Sequence, residues 1–355
     1  MRLLATRLTA IASAVKRLFS PASLFRNAEQ GVWYDPSDLS TLFQDSAGTT
    51  PVTAVEQPVG LMRDKSGRGN HASQESSAAR PTFQTDPSRL TLDHVDDIYN
   101  FTSPVGGIVG TMVLSTPEGT AAYDVNFPAG AQTIGGLYFP GSAIVELIAR
   151  NGEMTDAQIN SAYTYCTGKG GGASGADAYG AITNFASYWR GMKITTFPLL
   201  NTAAGTDFSA AWRDCTSLTG PFPLLNTAAG TDFAYAWYNC TSLTGPFPSL
   251  SFTLKVNGTT VNTGFDRAWT NVPMTTFPAN MFNACTTTRY LDAFVGCNAL
   301  DQASIENIYV SIDAGGVING TLGMPAQATT ALMTATAASA RASLVAKGWT
   351  VTPAG

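Results

Sequence analysis

The sequence has little charge: Asp, Glu, Lys and Arg make up 13% of its 355 residues, well below the usual share of about a quarter. Thr, Ser, Asn, Ala and 34 glycines take their place. This composition is more typical of extracellular or virion β-rich proteins and of solenoids than of cytosolic enzymes. The net charge of −5 offers no basic surface, so nucleic-acid binding is not expected.

Metal-ligating residues are scarce as well. The two histidines, His71 and His94, lie far in sequence from the five cysteines, and these form no C-x-x-C pair. A zinc site needs clustered ligands, and an odd number of cysteines in a chain this long does not predict a disulfide framework. We therefore expect buried, reduced thiols and neither a metal nor a cofactor. The cysteines are Cys166, Cys215, Cys240, Cys285 and Cys297.

Long apolar runs are also missing, and no segment approaches the roughly 20 apolar residues of a membrane span. The first 19 residues have the outline of a signal peptide. However, Arg7 interrupts the apolar run, and Lys16 and Arg17 stand where a cleavage site of small residues is required. No cleaved signal is predicted.

The N-terminal residues instead carry a heptad pattern, with apolar side chains at alternating spacings of three and four. This pattern predicts an amphipathic helix within 1–30, too short to be stable alone. We expect it to pack on partner copies, on the body of the protein or on another virion protein. A helix on a membrane surface is the competing interpretation, because the other positions are basic. The seam consists of Leu4, Leu8, Ile11, Val15 and Leu18.

Residues 31–167 predict a small β-rich domain, similar to a truncated jelly roll. Short β-branched and aromatic runs alternate there with glycine and proline. The following segment, 168–180, contains GKGGGASG and must be weighed as a phosphate loop. Because Lys169 precedes the glycine cluster instead of closing it, a flexible linker is favoured.

A repeat of 25 residues organises the C-terminal half: 197–221 and 222–246 differ at only four positions. Around this pair, five apolar sets share the spacing i, i+3, i+4, i+7, as in Phe208, Ala211, Trp212 and Cys215. The spacing predicts a two-turn helical segment, followed by a strand-like Phe-Pro rung. The sequence thus predicts a leucine-rich-repeat-like α/β solenoid over 181–300, with a hairpin at 253–261 and a helical cap over 301–355. The predicted fold class of the whole chain is mixed α+β.

The four differing positions fall off the apolar face of this repeat, so we expect them to point to solvent. Tyr and Arg dominate binding hot spots. A row of these residues predicts a recognition surface, with an ordinary solvated face as the alternative. The Trp residues at the apolar positions could form a sugar-stacking platform, but their spacing favours the core. The candidate binding face consists of Arg190, Arg213, Tyr235, Tyr238 and Arg267.

Catalytic motifs are not found: the chain has no G-x-S-x-G, no H-E-x-x-H and no Cys/His nucleophile arrangement. The one tight acidic cluster is Asp93, Asp96 and Asp97. It could bind calcium or act as a glycosidase pair, but adjacent residues on a strand point to opposite faces, which favours turn capping. No enzymatic activity is expected.

Two stretches carry a resemblance to known proteins. GVWYDPSDLSTLFQDSAGTTPVTAVEQPVGLMRDKSGRGNHASQ, followed by RPTF and LTLDHVDD, resembles the opening of a family of phage and prophage tail-associated and other virion proteins. In that family it leads into a concanavalin-like lectin sandwich, here shortened to about 70 residues after Asp97. The repeats resemble BspA-like leucine-rich repeats of phage tail and bacterial surface proteins. CNALDQASIENIYVSID through VAKGWTV is similar to the usual end of such phage proteins.

The resemblance implies a non-enzymatic structural component of a tailed-bacteriophage virion, assembled in the host cytoplasm. One version is a tail fibre or adhesin whose solenoid surface attaches to a host-cell glycan or protein. The other is a capsid decoration or head-fibre protein, anchored to other virion proteins by its N-terminal helix. Both versions predict a homo-oligomer, and a trimer is expected because the heptad seam needs partners.

Overall fold

The structure is a computed structural model, and it describes residues 19–93, 96–135, 143–174, 177–197, 200–219, 221–222, 225–252, 264–329 and 333–353. Two predicted features lie outside these residues: the N-terminal amphipathic helix with its seam, and the hairpin at 253–261. The seam residues in question are Leu4, Leu8, Ile11, Val15 and Leu18.

The fold is mixed, with 16% of the described residues in helices and 24% in strands. The three α-helices of the described part are α1 (Asp156–Gly168), α2 (Gln302–Ala314) and α3 (Ala335–Ala346). Short 3-10 helices occupy Pro21–Phe25, Leu39–Thr41 and Ser77–Ala79.

Twelve strands form the N-terminal part, in antiparallel sheets of order β1-β12-β8-β9, β10-β7-β4-β3-β2 and β11-β6-β5. The described strands thus make three sheets, where a jelly roll would have two. Their bounds are β1 Gly31–Tyr34, β2 Leu42–Phe43, β3 Leu61–Met62, β4 Ala72–Ser73, β5 Thr82–Gln84, β6 Arg89–Thr91, β7 Ile98–Ser103, β8 Ile108–Ser115, β9 Thr120–Phe127, β10 Gly130–Gly135, β11 Ala143–Ile144 and β12 Glu146–Asn151.

Alternation along β9 shows why these residues form a sheet with one face in the core. Tyr123, Val125 and Phe127 are buried, whereas the residues between them are half-buried. Helix α1 covers the other face of the four-stranded sheet with Ala162 and Cys166. It begins with a capping box, in which Thr155 and Gln158 exchange hydrogen bonds between side chain and backbone.

The glycine-rich segment after α1 is tied to the strands. The backbone N–H of Gly172 donates to the carbonyl of Thr116 at 2.8 Å, and that of Thr120 donates to Ala173 at 2.9 Å. A Cβ on Gly171 would come within 2.0 Å of the Ser115 hydroxyl, so only glycine fits there. Residues 168–174 therefore lie against the sheet, and the domain boundary placed in this segment stays a prediction.

Beyond this segment the chain forms five stacked turn segments, named coils here: 185–192, 208–215, 233–240, 265–272 and 290–297. Alternate backbone N–H groups donate to the next coil, as from Phe208 to Asp232 (2.8 Å) and from Trp212 to Ala236 (2.8 Å). The intervening N–H groups donate three residues back within the coil, as from Ala211 to Phe208 (3.1 Å). Each coil is thus a run of turns whose alternate backbone groups are hydrogen-bonded to the neighbouring coil.

This arrangement overturns the predicted fold class. The described residues between 177 and 300 contain no α-helix, so the leucine-rich-repeat-like α/β solenoid is wrong. Helical residues would donate N–H groups four positions back, but half of the coil N–H groups leave the coil. In addition, residues i+2 and i+6 of the coils have positive φ, as at Ala210 (54°) and Asp214 (62°). An α-helix of L-residues excludes that conformation.

The coils continue directly from the sheets. Val125 in β9 bridges Ile194, and the backbone N–H of Thr195 donates to Asp124 at 2.8 Å. The hydroxyls of Tyr123 and Tyr179 are 3.0 Å apart, within hydrogen-bond distance. Buried side chains of both parts form one continuous hydrophobic cluster.

The C-terminal residues close the last coil. β15 (Arg289–Tyr290), β16 (Thr321–Gly323) and β17 (Thr350–Thr352) form a parallel sheet. The preceding two strands, β13 (Gly245–Pro246) and β14 (Met274–Thr276), also pair in parallel. Helices α2 and α3, predicted from the sequence, are present. Asp301 caps the start of α2, and Gly348 follows α3 with φ +82°.

Candidate binding surface on the stacked coils

Two stacks of aromatic rings form the inside of the coils. The indoles of Trp189 and Trp212 lie 5.3 Å apart with 4° between their planes, and the stack continues at 5.5 Å to Trp237 and 5.8 Å to Trp269. All four indoles are fully buried. The prediction that they belong to the core is therefore confirmed, and the sugar-stacking platform is not formed by them.

The cysteines of the coils link one coil to another. The Sγ of Cys215 donates to the carbonyl of Trp189 at 3.0 Å, and Cys297 donates to Trp269 at 2.9 Å. Burial raises the pKa of Cys215 and of Cys297 to about 12, so both remain protonated donors at neutral pH. All five cysteines are buried and none forms a disulfide, as predicted from the sequence.

Positions i+1, i+2, i+5 and i+6 after each first aromatic residue form four rows of side chains away from the ring stacks. The expectation that all four differing positions point to solvent is wrong at i+1 of the third coil, because Ala234 is buried there. Positions i+2 and i+6 have positive φ in all five coils. Gly, Asp or Asn occupies i+6 throughout, which suits the left-handed conformation. Because backbone hydrogen bonds between coils fix the spacing of these rows, the surface is built on a rigid frame. The i+6 residues are Gly191, Asp214, Asn239, Asn271 and Gly296.

The predicted recognition residues meet on this surface. The guanidinium of Arg213 lies over the rings of Tyr235 and Tyr238, at 4.9 and 5.0 Å from their centroids. Arg267 lies on the other side of this pair, 5.7 Å from the ring of Tyr235, and donates to its hydroxyl at 2.7 Å. Cation–π contact and a hydrogen bond thus join four side chains from three successive coils.

Arg190, the fifth predicted residue, lies one coil earlier. Its Nε is 3.6 Å from the carboxylate of Asp214, and the Nε of Arg213 is 3.3 Å from the same carboxylate. The structure therefore places all five sequence-predicted residues on one face. We name Arg190, Arg213, Tyr235, Tyr238 and Arg267 the Arg/Tyr face.

Sequence reasoning missed the acidic partners of the face. Asp214 bridges two arginines, and Asp292 pairs with Arg267 at 3.1 Å. Arg289 pairs with Asp266 at the edge of the same face. The signal that could have found these residues is the stacking itself, since residues 25 positions apart come into contact. With its arginines paired, the face suits a ligand of low net charge with flat surfaces, such as a saccharide or a peptide.

Backbone hydrogen bonds connect the residues of the acidic cluster, Asp93, Asp96 and Asp97. The backbone N–H groups of Asp96 and Asp97 both donate to the Oδ1 of Asp93 at 3.2 Å, and that of Asp93 donates to the Oδ2 of Asp97 at 2.9 Å. Carboxylates that accept backbone N–H groups in this way cap turns. These hydrogen bonds agree with the favoured turn-capping interpretation. Carboxylate oxygens of the three residues also lie within 4.8 Å of one another, so calcium binding stays an alternative.

Comparison with protein-family profiles, with curated proteins and with solved structures finds no significant match to this chain. In the described part of the chain, no helix combines the length and the apolar character needed to cross a bilayer.

Proposed function

We propose that this chain is a non-enzymatic attachment protein of a tailed-bacteriophage particle, which contacts the host-cell surface through the Arg/Tyr face. The observation that carries the proposal is a contact between two coils: the guanidinium of Arg213 lies over the rings of Tyr235 and Tyr238 in the next coil. Tyrosine and arginine dominate binding hot spots, and tyrosine supplies a large contact area at low entropic cost. The assignment to a phage particle rests on the resemblance of residues 31–74 to virion proteins.

The geometry favours recognition over a purely solvated face for a physical reason. Exposed Arg and Tyr side chains are ordinarily free to sample several rotamers, and ordering them on binding costs about 0.5–1.5 kcal/mol each. Here Arg267 is fixed by Tyr235 and Asp292, and Arg213 by two rings and Asp214. The ordering cost is therefore met during folding, as in preorganised binding sites.

The test is binding of the full-length chain to a panel of bacterial cells with different surface saccharides. Saturable binding to some strains is expected, and Tyr235→Ala combined with Tyr238→Ala should weaken it at least about tenfold. Ser249→Ala, an exposed position on a different row of the repeat, is the matched control and should bind normally. Binding that is equal in all three proteins would contradict the role of the face.

The position on the particle needs a separate measurement. Antibodies against the chain, applied to intact particles and viewed by electron microscopy, should label the tail. Label spread over the capsid would favour the decoration or head-fibre function, and particles without label would contradict a virion location.

A further inference from the structure

An unusual group of charged side chains lies in the N-terminal part, outside the Arg/Tyr face. Asp35, directly after β1, is only 2% exposed, and two ammonium groups contact it: Lys65 Nζ at Oδ2 and Lys169 Nζ at Oδ1, both at 2.7 Å. Glu146, at the start of β12, is fully buried beside them. The two lysines are only 22% and 23% exposed.

Glu146 differs from the other charged residues of the group, because one of its buried carboxyl oxygens is not hydrogen-bonded. Its Oε1 accepts a hydrogen bond from the indole of Trp33, but its Oε2 has no hydrogen-bond partner among the described residues. The nearest cation to that oxygen is Lys169 Nζ, at 3.8 Å. Burial, first of all, and the neighbouring Asp35 carboxylate raise the pKa of Glu146 well above its usual range, which favours the protonated form of its carboxyl group.

Two aromatic rings complete the environment. Lys65 Nζ lies 4.6 Å from the centroid of the Trp33 ring, and Lys169 Nζ lies 4.9 Å from that of Tyr165. An ammonium group, a carboxylate and a second, buried carboxyl group are thus held together at a site largely shielded from water. Shielding favours the condensation of an amine with a carboxylate, because the reaction releases water.

We propose that Lys169 and Asp35 join through an intramolecular amide bond, and that Glu146 carries the proton for this reaction. Lys169 is the nucleophile because its Nζ contacts both Asp35 and Glu146. Lys65 is held at 2.8 Å by Asp38 as well as by Asp35. Its two carboxylate partners raise its pKa, so Lys65 stays charged and stabilises the negative oxygen that develops on Asp35.

The atoms balance without an added reagent. Glu146 gives its proton to an oxygen of Asp35 and takes one from the Lys169 ammonium. The free electron pair of Nζ then attacks Cγ of Asp35, which forms the N–C bond. The bond between Cγ and Oδ1 breaks, and the oxygen leaves as water with a second proton from Nζ. Glu146 ends protonated, as it began, and the ammonium and carboxylate charges disappear together.

The bond would connect the end of the first strand with the residue after α1, across 134 positions of the chain. All twelve strands except β1 lie between its two ends. It would therefore fasten the whole N-terminal part against unfolding, as a disulfide does, but it would resist reducing agents.

The intact mass of the full-length chain under denaturing conditions tests this proposal. The expected mass is about 18 Da below that of the sequence, the loss of one water. A measured mass equal to that of the sequence, with no water lost, would overturn the proposal. This measurement uses the original chain and needs no variant that might fail to fold. It is also independent of whether the Arg/Tyr face binds cells.

Peptide mapping identifies the partners. An acylated Lys169 resists trypsin, so peptide 151–190 should persist and be linked to peptide 27–63, which contains Asp35. A link from Asp35 to Lys65 instead would overturn the assignment of Lys169.

Variants separate the roles of the three residues. Lys169→Arg keeps the positive charge beside Asp35 and should have the full mass. The matched control is Lys193→Arg, at an exposed lysine outside this group, and it should still lose water. Glu146→Gln keeps the acceptor for Trp33 but removes the acid, and the bond should form at least about a hundredfold more slowly. Bond formation at the original rate in Glu146→Gln would overturn the role of Glu146.

Discussion

The thiol of Cys240 donates a hydrogen bond to the carbonyl oxygen of Trp212, one coil earlier, with Sγ and O 3.0 Å apart. The same bond recurs at Cys215 and Cys297. Such a bond requires a protonated sulfur, and burial raises the pKa of the Cys240 thiol well above its usual value. The repeated cysteine is therefore a structural donor that joins neighbouring coils.

Thiol reactivity checks this assignment. We expect no measurable reaction of the native chain with a disulfide reagent at pH 8, because the thiolate is the reactive species and the thiols are buried. In denaturant, all five cysteines should react. Rapid modification of native Cys215, Cys240 or Cys297 would show that the coils open readily, and would contradict a donor role.

The positive φ at position i+2 of the coils leads to a second prediction. Ala210 has φ 54° and its side chain lies on the outer surface, so a left-handed conformation is imposed on a residue that disfavours it. Ala210→Gly should raise the free energy of unfolding by about 0.5–1 kcal/mol. Ala211→Gly is the control: Ala211 is fully buried and has no positive φ, so this change should destabilise. Urea unfolding of both variants measures the difference, and equal effects would contradict the explanation.

The repeat shows what sequence could and could not establish. The spacing i, i+3, i+4, i+7 correctly identified the buried side chains, because stacked turns return to the inside at the same intervals as a helix. It could not identify the hydrogen bonds between coils, since these join residues about 25 positions apart. One local signal was available: Gly, Asp or Asn at every i+6 position, from Gly191 to Gly296, favours positive φ and argues against a helix.

The candidate sites differ in how far they could be predicted. Arg213 and Tyr235 could be predicted from the sequence, because they stand at positions where the repeat copies differ. Asp35 and Lys169 were not, since 134 positions separate them and no short motif contains both. Only the folded sheet brings β1 and the end of α1 together.

Unpartnered indoles give a third prediction. The Nε1–H of Trp189 donates to the Tyr123 hydroxyl at 3.3 Å, whereas the buried Nε1–H of Trp212 finds no acceptor among the described residues. Both substitutions to Phe remove the same volume from the same stack. Trp212→Phe also removes an unpaired polar group. It should therefore lower the free energy of unfolding by about 1 kcal/mol less than Trp189→Phe does. Chemical denaturation measures the free energy of unfolding of both variants. A larger loss of stability for Trp212→Phe would contradict the prediction and indicate a hydrogen-bond acceptor at that indole.

A row of carboxylates on the coils leads to a prediction about pH. Burial raises the pKa of Asp232 to about 6, with further contributions from the carboxylates of Asp207 and Asp266 on adjacent coils. The folded chain therefore binds a proton more tightly than the unfolded chain does, and its stability falls as pH rises from about 4 to about 6. Below and above this window the effect of Asp232 is constant.

Asp232→Asn should remove this fall, since Oδ1 still accepts from the backbone N–H of Ala234 while the charge is gone. Relative to the original chain, the variant should gain about 1 kcal/mol between pH 4 and pH 7, a value reduced because Asp232 is partly exposed. Asp45→Asn is a control of opposite sign: hydrogen bonds, first of all from the backbone of Thr49, hold the pKa of Asp45 well below its usual range. Relative to the original chain, that variant should lose stability as pH rises from the acid range to about 4, because the folded chain releases the Asp45 proton more readily than the unfolded chain does. Unfolding curves at pH 2, 3, 4, 5, 6 and 7 for the three proteins would reveal the two trends. The same pH dependence for Asp232→Asn and the original chain would contradict burial of the Asp232 carboxylate as the cause.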